Sequence, residues 1–125
     1  MKSNKLASIS KVAQLLKIVI KSLEDDKGQD ILVIDLDGKA TFAAYMVIVS
    51  GSSQRQLGAM ANHLKEKIKK FGLSEVPIEG KNGNDWILID GGDIVVHLFR
   101  PEIREFYALE KMWNIDMLRS SEANH

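Results

Sequence analysis

Two segments of the sequence carry residues that could bind a phosphorylated ligand. Residues 51–53 (Gly-Ser-Ser) lie between a predicted strand and a predicted helix, where backbone N–H groups can hold a phosphate. They lack the Lys of a P-loop and the glycine spacing of a dinucleotide site, so a tight turn with a helix cap is the simpler interpretation. Asp35 and Asp37 could hold Mg²⁺ on one face of a strand, although Asp37-Gly38 is also typical of a turn.

The order of these two segments argues against an enzyme of the nucleotidyltransferase type. In such a site the Gly-Ser turn precedes the acidic pair, whereas here Asp35 and Asp37 come before it. No acidic residue occurs between Ser53 and Lys65. We therefore predict that the Asp pair has no catalytic role.

A third group of polar residues surrounds a Gly-Gly pair. Asp90, Asp93 and His97 could bind a metal ion or serve as acid and base. Acidic residues beside such a turn often only solvate it, and a His within an apolar strand is more often a partly buried histidine with one hydrogen bond. We predict these structural roles and no metal site.

Trp86 opens a predicted strand in an acidic stretch. It is either a core residue or the anchor of a protein interface, since large aromatic side chains dominate interface hot spots. Residues 100–105 mix Arg and Glu, and form either a surface network of ion pairs or the polar rim of such an anchor.

Three helices are predicted from apolar spacing and from capping residues. The first covers residues 9–23 and ends near Gly28, which can supply the left-handed cap. The second begins at the Ser53 cap and ends at Gly72. The third begins at Pro101.

Four short apolar runs predict strands, at residues 31–36, 45–50, 86–90 and 94–99. Gly91-Gly92 predicts an antiparallel hairpin with a two-residue turn between the last two. The second strand, the second helix and the third strand would form a right-handed crossover. The sequence thus predicts an α/β fold with a single mixed β-sheet covered by helices, in the order α-β-β-α-β-β-α. This domain covers residues 1–117, and residues 118–125 form a flexible C-terminal tail.

Composition and charge limit the classes of function. The chain has 125 residues, 45% of them hydrophobic and 27% charged, as in an ordinary globular domain. The 17 basic and 17 acidic residues balance, which excludes a strongly basic domain that binds nucleic acid over its whole surface. Residues 1–23 and 55–73 are basic, however, while residues 24–54 and 74–99 are acidic. This alternation is either ordinary solvated surface or an acidic face for a basic partner protein.

The chain has no cysteine, which excludes disulfides, a thiolate nucleophile and cysteine-ligated metal sites. No signal-peptide core and no membrane span is visible in the sequence. We predict a cytoplasmic domain that does not bind membranes.

A long motif near the C-terminus resembles the ribosomal silencing factor (Iojap) family. It runs over residues 86–113, as WILIDGGDIVVHLF followed by RPEIREFYALEKMW. Residues 28–31, residues 46–56 and Glu79-Gly80 before the Trp agree with the same family. The resemblance covers residues 10–114, nearly the whole domain.

The resemblance implies a nucleotidyltransferase-like fold without the catalytic acids, and a protein that is not an enzyme and uses no cofactor. Members of the family bind ribosomal protein fourteen of the large ribosomal subunit on its inter-subunit face. Docked there, they sterically block the joining of the small subunit, which represses translation under nutrient limitation. Organellar relatives act in large-subunit assembly.

We predict a partner-binding site around the motif, with Trp86 as anchor and with nearby charges that complement a basic ribosomal protein. The predicted partner-binding residues are Trp86, Asp90, Asp93, Glu79, Arg104, Glu105 and Tyr107. The basic helices would add weak contacts to ribosomal RNA. Ala44 stands where the family commonly has Asp, so one polar contact to the ribosome would be lost if that Asp binds there. Gly91 replaces a larger residue, which should loosen the turn.

Two alternatives stay open at this point. The first is a nucleotide- or metal-dependent enzyme of nucleotidyltransferase-like fold, with a ligand at Asp35, Asp37 or Asp90. The second is a dimerisation module that self-associates through the apolar side of the last helix, where Met112, Trp113 and Met117 lie. A homodimer is compatible with ribosome binding unless both use one surface.

Overall fold

The computed structural model describes residues 2–36, 43–80 and 85–103, with side chains from residue 11 onward. The elements in chain order are α1 (Lys2–Asp25), β1 (Gln29–Asp35), β2 (Tyr45–Ser50), α2 (Gln54–Phe71), β3 (Ile78–Glu79), β4 (Trp86–Asp90) and β5 (Ile94–Phe99). The predicted order of two helices and four main strands is confirmed, and the two-residue strand β3 is an addition. Residues 101–103 are helical; the rest of the predicted third helix and the predicted tail lie outside the described residues.

The five strands form one mixed sheet in the order β1-β2-β5-β4-β3. β2 and β5 are parallel, and the other three neighbouring pairs are antiparallel. The predictions of a single mixed sheet and of an antiparallel β4–β5 hairpin are therefore confirmed.

The predicted crossover is wrong in its last strand. The connection through α2 makes β2 parallel to β5, the fourth predicted strand, whereas β4 lies on the far side of β5. β5 buries five of its six residues, but β4 alternates buried and more exposed residues. A strand in the middle of a sheet needs apolar residues on both faces, so the more continuously apolar strand takes the central place.

Both helices pack on one face of the sheet and form the larger core cluster with it. α2 contributes five buried residues, Leu57, Met60, Ala61, Leu64 and Ile68. The opposite face, which we call the second face, carries Ile34, Met46, Ile48 and Phe99 in a separate buried cluster, with half-buried Trp86 and Val95 packed against it. Neither α1 nor α2 is long and apolar enough to cross a membrane.

The ends of α2 agree with the predicted caps, but both ends of α1 differ from the prediction. α1 begins at Lys2, seven residues before the predicted start at residue 9, because residues 2–8 contain no Gly or Pro that would stop a helix. The Oγ atom of Ser53 accepts the N–H of Gln56 at 3.0 Å, and the N–H of Gly72 donates to the carbonyl of Ile68. At the end of α1, however, Lys27 adopts the left-handed conformation, with φ 66°. Gly28 is needed there for space instead, because a Cβ atom would lie 2.7 Å from Cγ2 of Val49.

Candidate partner-binding site

The strand register brings three of the predicted site residues to the second face. Side chains alternate along β4, so Trp86, Leu88 and Asp90 share one side, while Ile87 and Ile89 join the core under the helices. Glu79 pairs with Leu88 across β3 and β4, and paired residues project to the same side. The sequence did not single out Leu88, which is half-buried beside the Trp.

Trp86 is both a core residue and a surface residue. Its ring packs on that of Phe99, with a centroid distance of 4.9 Å, and its Nε1–H donates to Nδ1 of His97 at 3.1 Å. The side chain is nonetheless only half-buried. Trp86 thus packs against the core and keeps part of its surface exposed, while its role as an interface anchor stays a prediction.

His97 is a buried hydrogen-bond acceptor. It is only 8% exposed, and this burial lowers the pKa of its imidazole to about 4. Because Nδ1 accepts the Trp86 N–H, the proton of the neutral ring is on Nε2. The prediction of a His with one hydrogen bond in an apolar strand is confirmed. Its partner, Trp86, was not predicted, since the pairing depends on the β4–β5 register.

The turn between β4 and β5 contains both predicted acidic residues, and the carboxylate of Asp90 binds its backbone. The N–H of Gly91 donates to the carbonyl of Ile94, and the turn centres on Gly92 (φ 83°) and Asp93, one residue later than predicted. Oδ1 of Asp90 accepts the N–H of Gly92 at 2.9 Å. Both carboxylates belong to exposed residues, so they remain accessible to a partner.

Glu79 is exposed, and the residue after it must be a glycine because the backbone of β4 lies very close. Gly80 has φ 82°, and a Cβ atom there would lie 2.3 Å from the carbonyl oxygen of Trp86. This close approach lets the segment of Glu79 run directly beside the start of β4. The acidic side chain and the Trp are therefore held on neighbouring strands.

A polar network lies beside Trp86 at the start of β4. Asp85 accepts hydrogen bonds from Nε2 of Gln54 at 3.0 Å and from Arg100 at 3.3 Å, and Arg100 also pairs with Glu102 at 3.2 Å. The hydrogen bond from Gln54, followed by the Arg100 interactions, lowers the pKa of Asp85. The predicted ion pairs of residues 100–105 are thus present over the part that is described. Arg104, Glu105 and Tyr107 lie outside the described residues.

The phosphate-site candidate is a helix cap. The N–H and Oγ of Ser52 both donate to Oε1 of Gln56, and the N–H of Gly51 donates to the carbonyl of Phe99. Ser53 caps α2, as described above. These polar groups thus have hydrogen-bond partners within the protein, in agreement with the simpler interpretation of the segment.

The metal-site candidates are not brought together. The imidazole of His97 is buried against Trp86, while Asp90 binds the turn. Over residues 2–36, 43–80 and 85–103, no group of three or more His, Asp or Glu side chains is placed to hold a metal ion. Asp35 is exposed at the end of β1, and Asp37 falls in the gap after residue 36.

The outer side of the helical layer is basic. Lys17, Lys21 and Lys67 line a shallow cavity between α1 and α2 together with Ile18 and Asp25. Asp25 is paired with Lys21 at 3.2 Å, which leaves an excess of positive charge in this group. The lysines are thus on the opposite side of the sheet from Glu79 and Asp90, whereas Asp93 lines a cavity with Lys11 on the helical side.

Comparisons with known proteins agree on one family. A family model described as "Ribosomal silencing factor during starvation" matches residues 9–124. The protein named "Ribosomal silencing factor RsfS" of Zymomonas mobilis is 52% identical over 79% of this chain and 74% of its own length. The mouse protein "Mitochondrial assembly of ribosomal large subunit protein 1" is 37% identical over 80% of this chain and 45% of its own length. The crystal structure of a Chromobacterium violaceum protein has a TM-score of 0.77 at 35% identity, covering 82% of this chain and 85% of that one.

Proposed function

This chain belongs to the ribosomal silencing factor family, and we propose that it represses translation by binding the large ribosomal subunit and blocking its union with the small one. The partner on the large subunit would be its ribosomal protein fourteen. The names of the relatives support an association with the ribosome, and the name of the mouse relative refers to the large subunit. The family is named for regulation and not for a reaction, which supports a protein that is not an enzyme.

The observation that carries the proposal is an apolar patch with an acidic border. Trp86 and Leu88 on β4 and Val95 on β5 are half-buried on the second face. Glu79 and Asp90, both exposed, flank Leu88 on the same face. An apolar patch that contains a large aromatic residue and has charges along its border is typical of a protein interface.

The two parts of this patch would act at different stages of binding. The carboxylates attract a basic protein and speed its encounter with the correct side of the sheet. The apolar side chains lose water on contact, which mainly slows dissociation. Steric blocking then needs only that the bound domain occupy the space of the small subunit.

The basic outer side of α1 and α2 supports a second, weaker contact to ribosomal RNA. Lys17, Lys21 and Lys67 would face phosphates while the opposite side of the sheet binds protein. Such a contact adds affinity that falls with rising salt concentration. We also place the protein in the cytoplasm, where bacterial ribosomes are found.

Sedimentation tests the proposal directly. Purified protein is mixed with isolated large subunits, small subunits are added, and the fraction of joined ribosomes is measured on a gradient. We expect stoichiometric binding to the large subunit and fewer joined ribosomes. No binding at modest salt would overturn the proposal, and binding of Mg²⁺ with a nucleoside triphosphate would favour the enzyme alternative.

The Trp86→Ala variant tests the site. Truncating a hot-spot Trp costs ~2–4 kcal/mol, or roughly 30- to 1,000-fold in affinity. Leu73→Ala is a suitable control, because Leu73 is a half-buried apolar residue on the helical side of the sheet. Equal affinities of the two folded variants would exclude Trp86 as the anchor.

A further inference from the structure

We infer that His97 is a positioning residue of the docking patch, as we call the apolar patch with an acidic border described above: by accepting the indole N–H of Trp86, it holds the ring in the orientation that meets the partner. The inference rests on the proposed function, since it concerns how the Trp86 patch is prepared for binding. His97 itself is too buried to be the main contact of a partner protein.

The geometry restrains the indole from two directions. Its Nε1 atom is 3.1 Å from Nδ1 of His97, and its ring centroid is 4.9 Å from that of Phe99. The His97 and Phe99 rings are stacked 5.8 Å apart with an angle of 5° between their planes. A hydrogen bond in the plane of the indole and a ring against it leave little freedom about its side-chain torsions.

The acceptor is itself held firmly. His97 is on β5, between β2 and β4, and its Cα pairs with Ile48 on one side and Leu88 on the other. Trp86, in contrast, is at the first residue of β4, where the strand begins. The hydrogen bond from Trp86 to His97 therefore ties a side chain at the edge of the patch to the central strand β5.

Burial also keeps this acceptor available. It lowers the pKa of His97 to about 4, so the ring is neutral at ordinary cellular pH and Nδ1 has a free lone pair. The hydrogen bond is a permanent restraint under these conditions and not a switch.

This arrangement specifies the chemistry that the partner presents. Nε1–H is the one polar group of the indole, and it is already bonded. The partner side chain that meets Trp86 therefore packs on the face of the ring, as an apolar group or a cation does, and need not supply a hydrogen-bond acceptor. If His97 were replaced by a residue without an acceptor, the indole N–H would lose its hydrogen-bond partner, and the Trp86 side chain would be less well ordered.

The test is a double-mutant cycle on binding to purified large subunits. His97→Phe removes the acceptor and keeps a ring, His97→Gln keeps an acceptor, and Trp86→Phe removes the donor. We expect His97→Phe to weaken binding about five- to tenfold and His97→Gln to restore most of the affinity. In the Trp86→Phe background, His97→Phe should weaken binding less than about twofold further, because no indole is left to position.

The free protein supplies a second readout. The chain has two Trp residues, so a Trp113→Phe background isolates the indole N–H of Trp86 in ¹⁵N spectra. We expect this proton to exchange slowly with the native His97 and with His97→Gln, and quickly with His97→Phe. Thermal unfolding of each variant shows that it is folded.

The outcomes separate this inference from the proposed function. Unchanged affinity in His97→Phe, while Trp86→Ala abolishes binding, would overturn the inference and leave the docking site in place. An equal loss from His97→Phe in both backgrounds would show a general structural effect and would also overturn it. Unchanged affinity in Trp86→Ala would remove the anchor, and the inference with it.

Discussion

The backbone carbonyl of Asp93 accepts the N–H of Ala44 at 2.7 Å, and the N–H of Tyr45 at 3.1 Å. These bonds tie the turn between β4 and β5 to the residues that open β2. Position 44 is therefore next to the backbone of Asp93, one of the predicted partner-binding residues. Residue 44 thus lies beside the turn that follows β4.

The Ala44→Asp variant should consequently bind large subunits more tightly. A third carboxylate near the turn adds attraction to a basic partner, and we expect an increase in affinity of about two- to fivefold, which shrinks as salt is raised. Ala59→Asp, at an exposed residue of α2, adds the same charge on the helical side and should give no increase. Equal gains in both variants would indicate a general charge effect and not a contact at the turn.

Acid should destabilise the fold through His97. Its pKa is about 4 in the folded chain and about 6.5 in the unfolded chain, so the unfolded state binds more protons between these values. The contribution of neutral His97 to the free energy of unfolding is at most about 3 kcal/mol. It is fully present above pH ~6.5 and is lost as the pH falls to ~4. Denaturant unfolding across this pH range measures the slope.

The His97→Phe variant is the control for this pH dependence, since it has no group that titrates at this position. Its free energy of unfolding should vary less between pH ~6.5 and ~4 than that of the native chain. The lowered pKa of Asp85 acts in the same direction but at lower pH, below its ordinary value of 3.8. An unaltered slope in His97→Phe would assign the acid sensitivity to other groups.

Gly80→Ala should destabilise the protein and disturb the start of β4. The added Cβ would lie 2.3 Å from the Trp86 carbonyl oxygen, and φ 82° is unfavourable for Ala. We expect a loss of ~1–3 kcal/mol in the free energy of unfolding. Gly58→Ala in α2 is the matched control, because nothing lies within 4 Å of its new Cβ and Ala favours helix, which predicts a gain of ~0.5–1 kcal/mol.

Removing two lysines from the helical layer should reduce the salt dependence of binding. If Lys17 and Lys67 contact RNA phosphates, replacing both with Gln lowers the slope of log affinity against log salt by about two. Binding to the isolated ribosomal protein should not change. An unchanged slope on whole subunits would show that Lys17 and Lys67 make no contact with RNA phosphates and that binding depends on the protein contact.

Local sequence patterns predicted most of the elements and their ends. Apolar residues at helical spacing in α2, the Ser53 cap and the Gly72 end depend on residues within a few positions of one another, so they can be recognised without the fold. The same holds for the β4–β5 hairpin, whose glycines lie between two apolar runs. The family resemblance also follows from sequence, because the long motif of residues 86–113 is specific by itself.

Only the tertiary structure decided how these pieces form a site. The choice of β5 over β4 as the parallel neighbour of β2 depends on burial of both strand faces, which no single strand reveals. The bond between Trp86 and His97 depends on the register of two strands, and the contact of Ala44 with Asp93 joins residues 49 positions apart in the sequence. Side-chain partners across a sheet are set by packing of the whole domain, whereas helices, turns and caps are set mainly by neighbours in the chain.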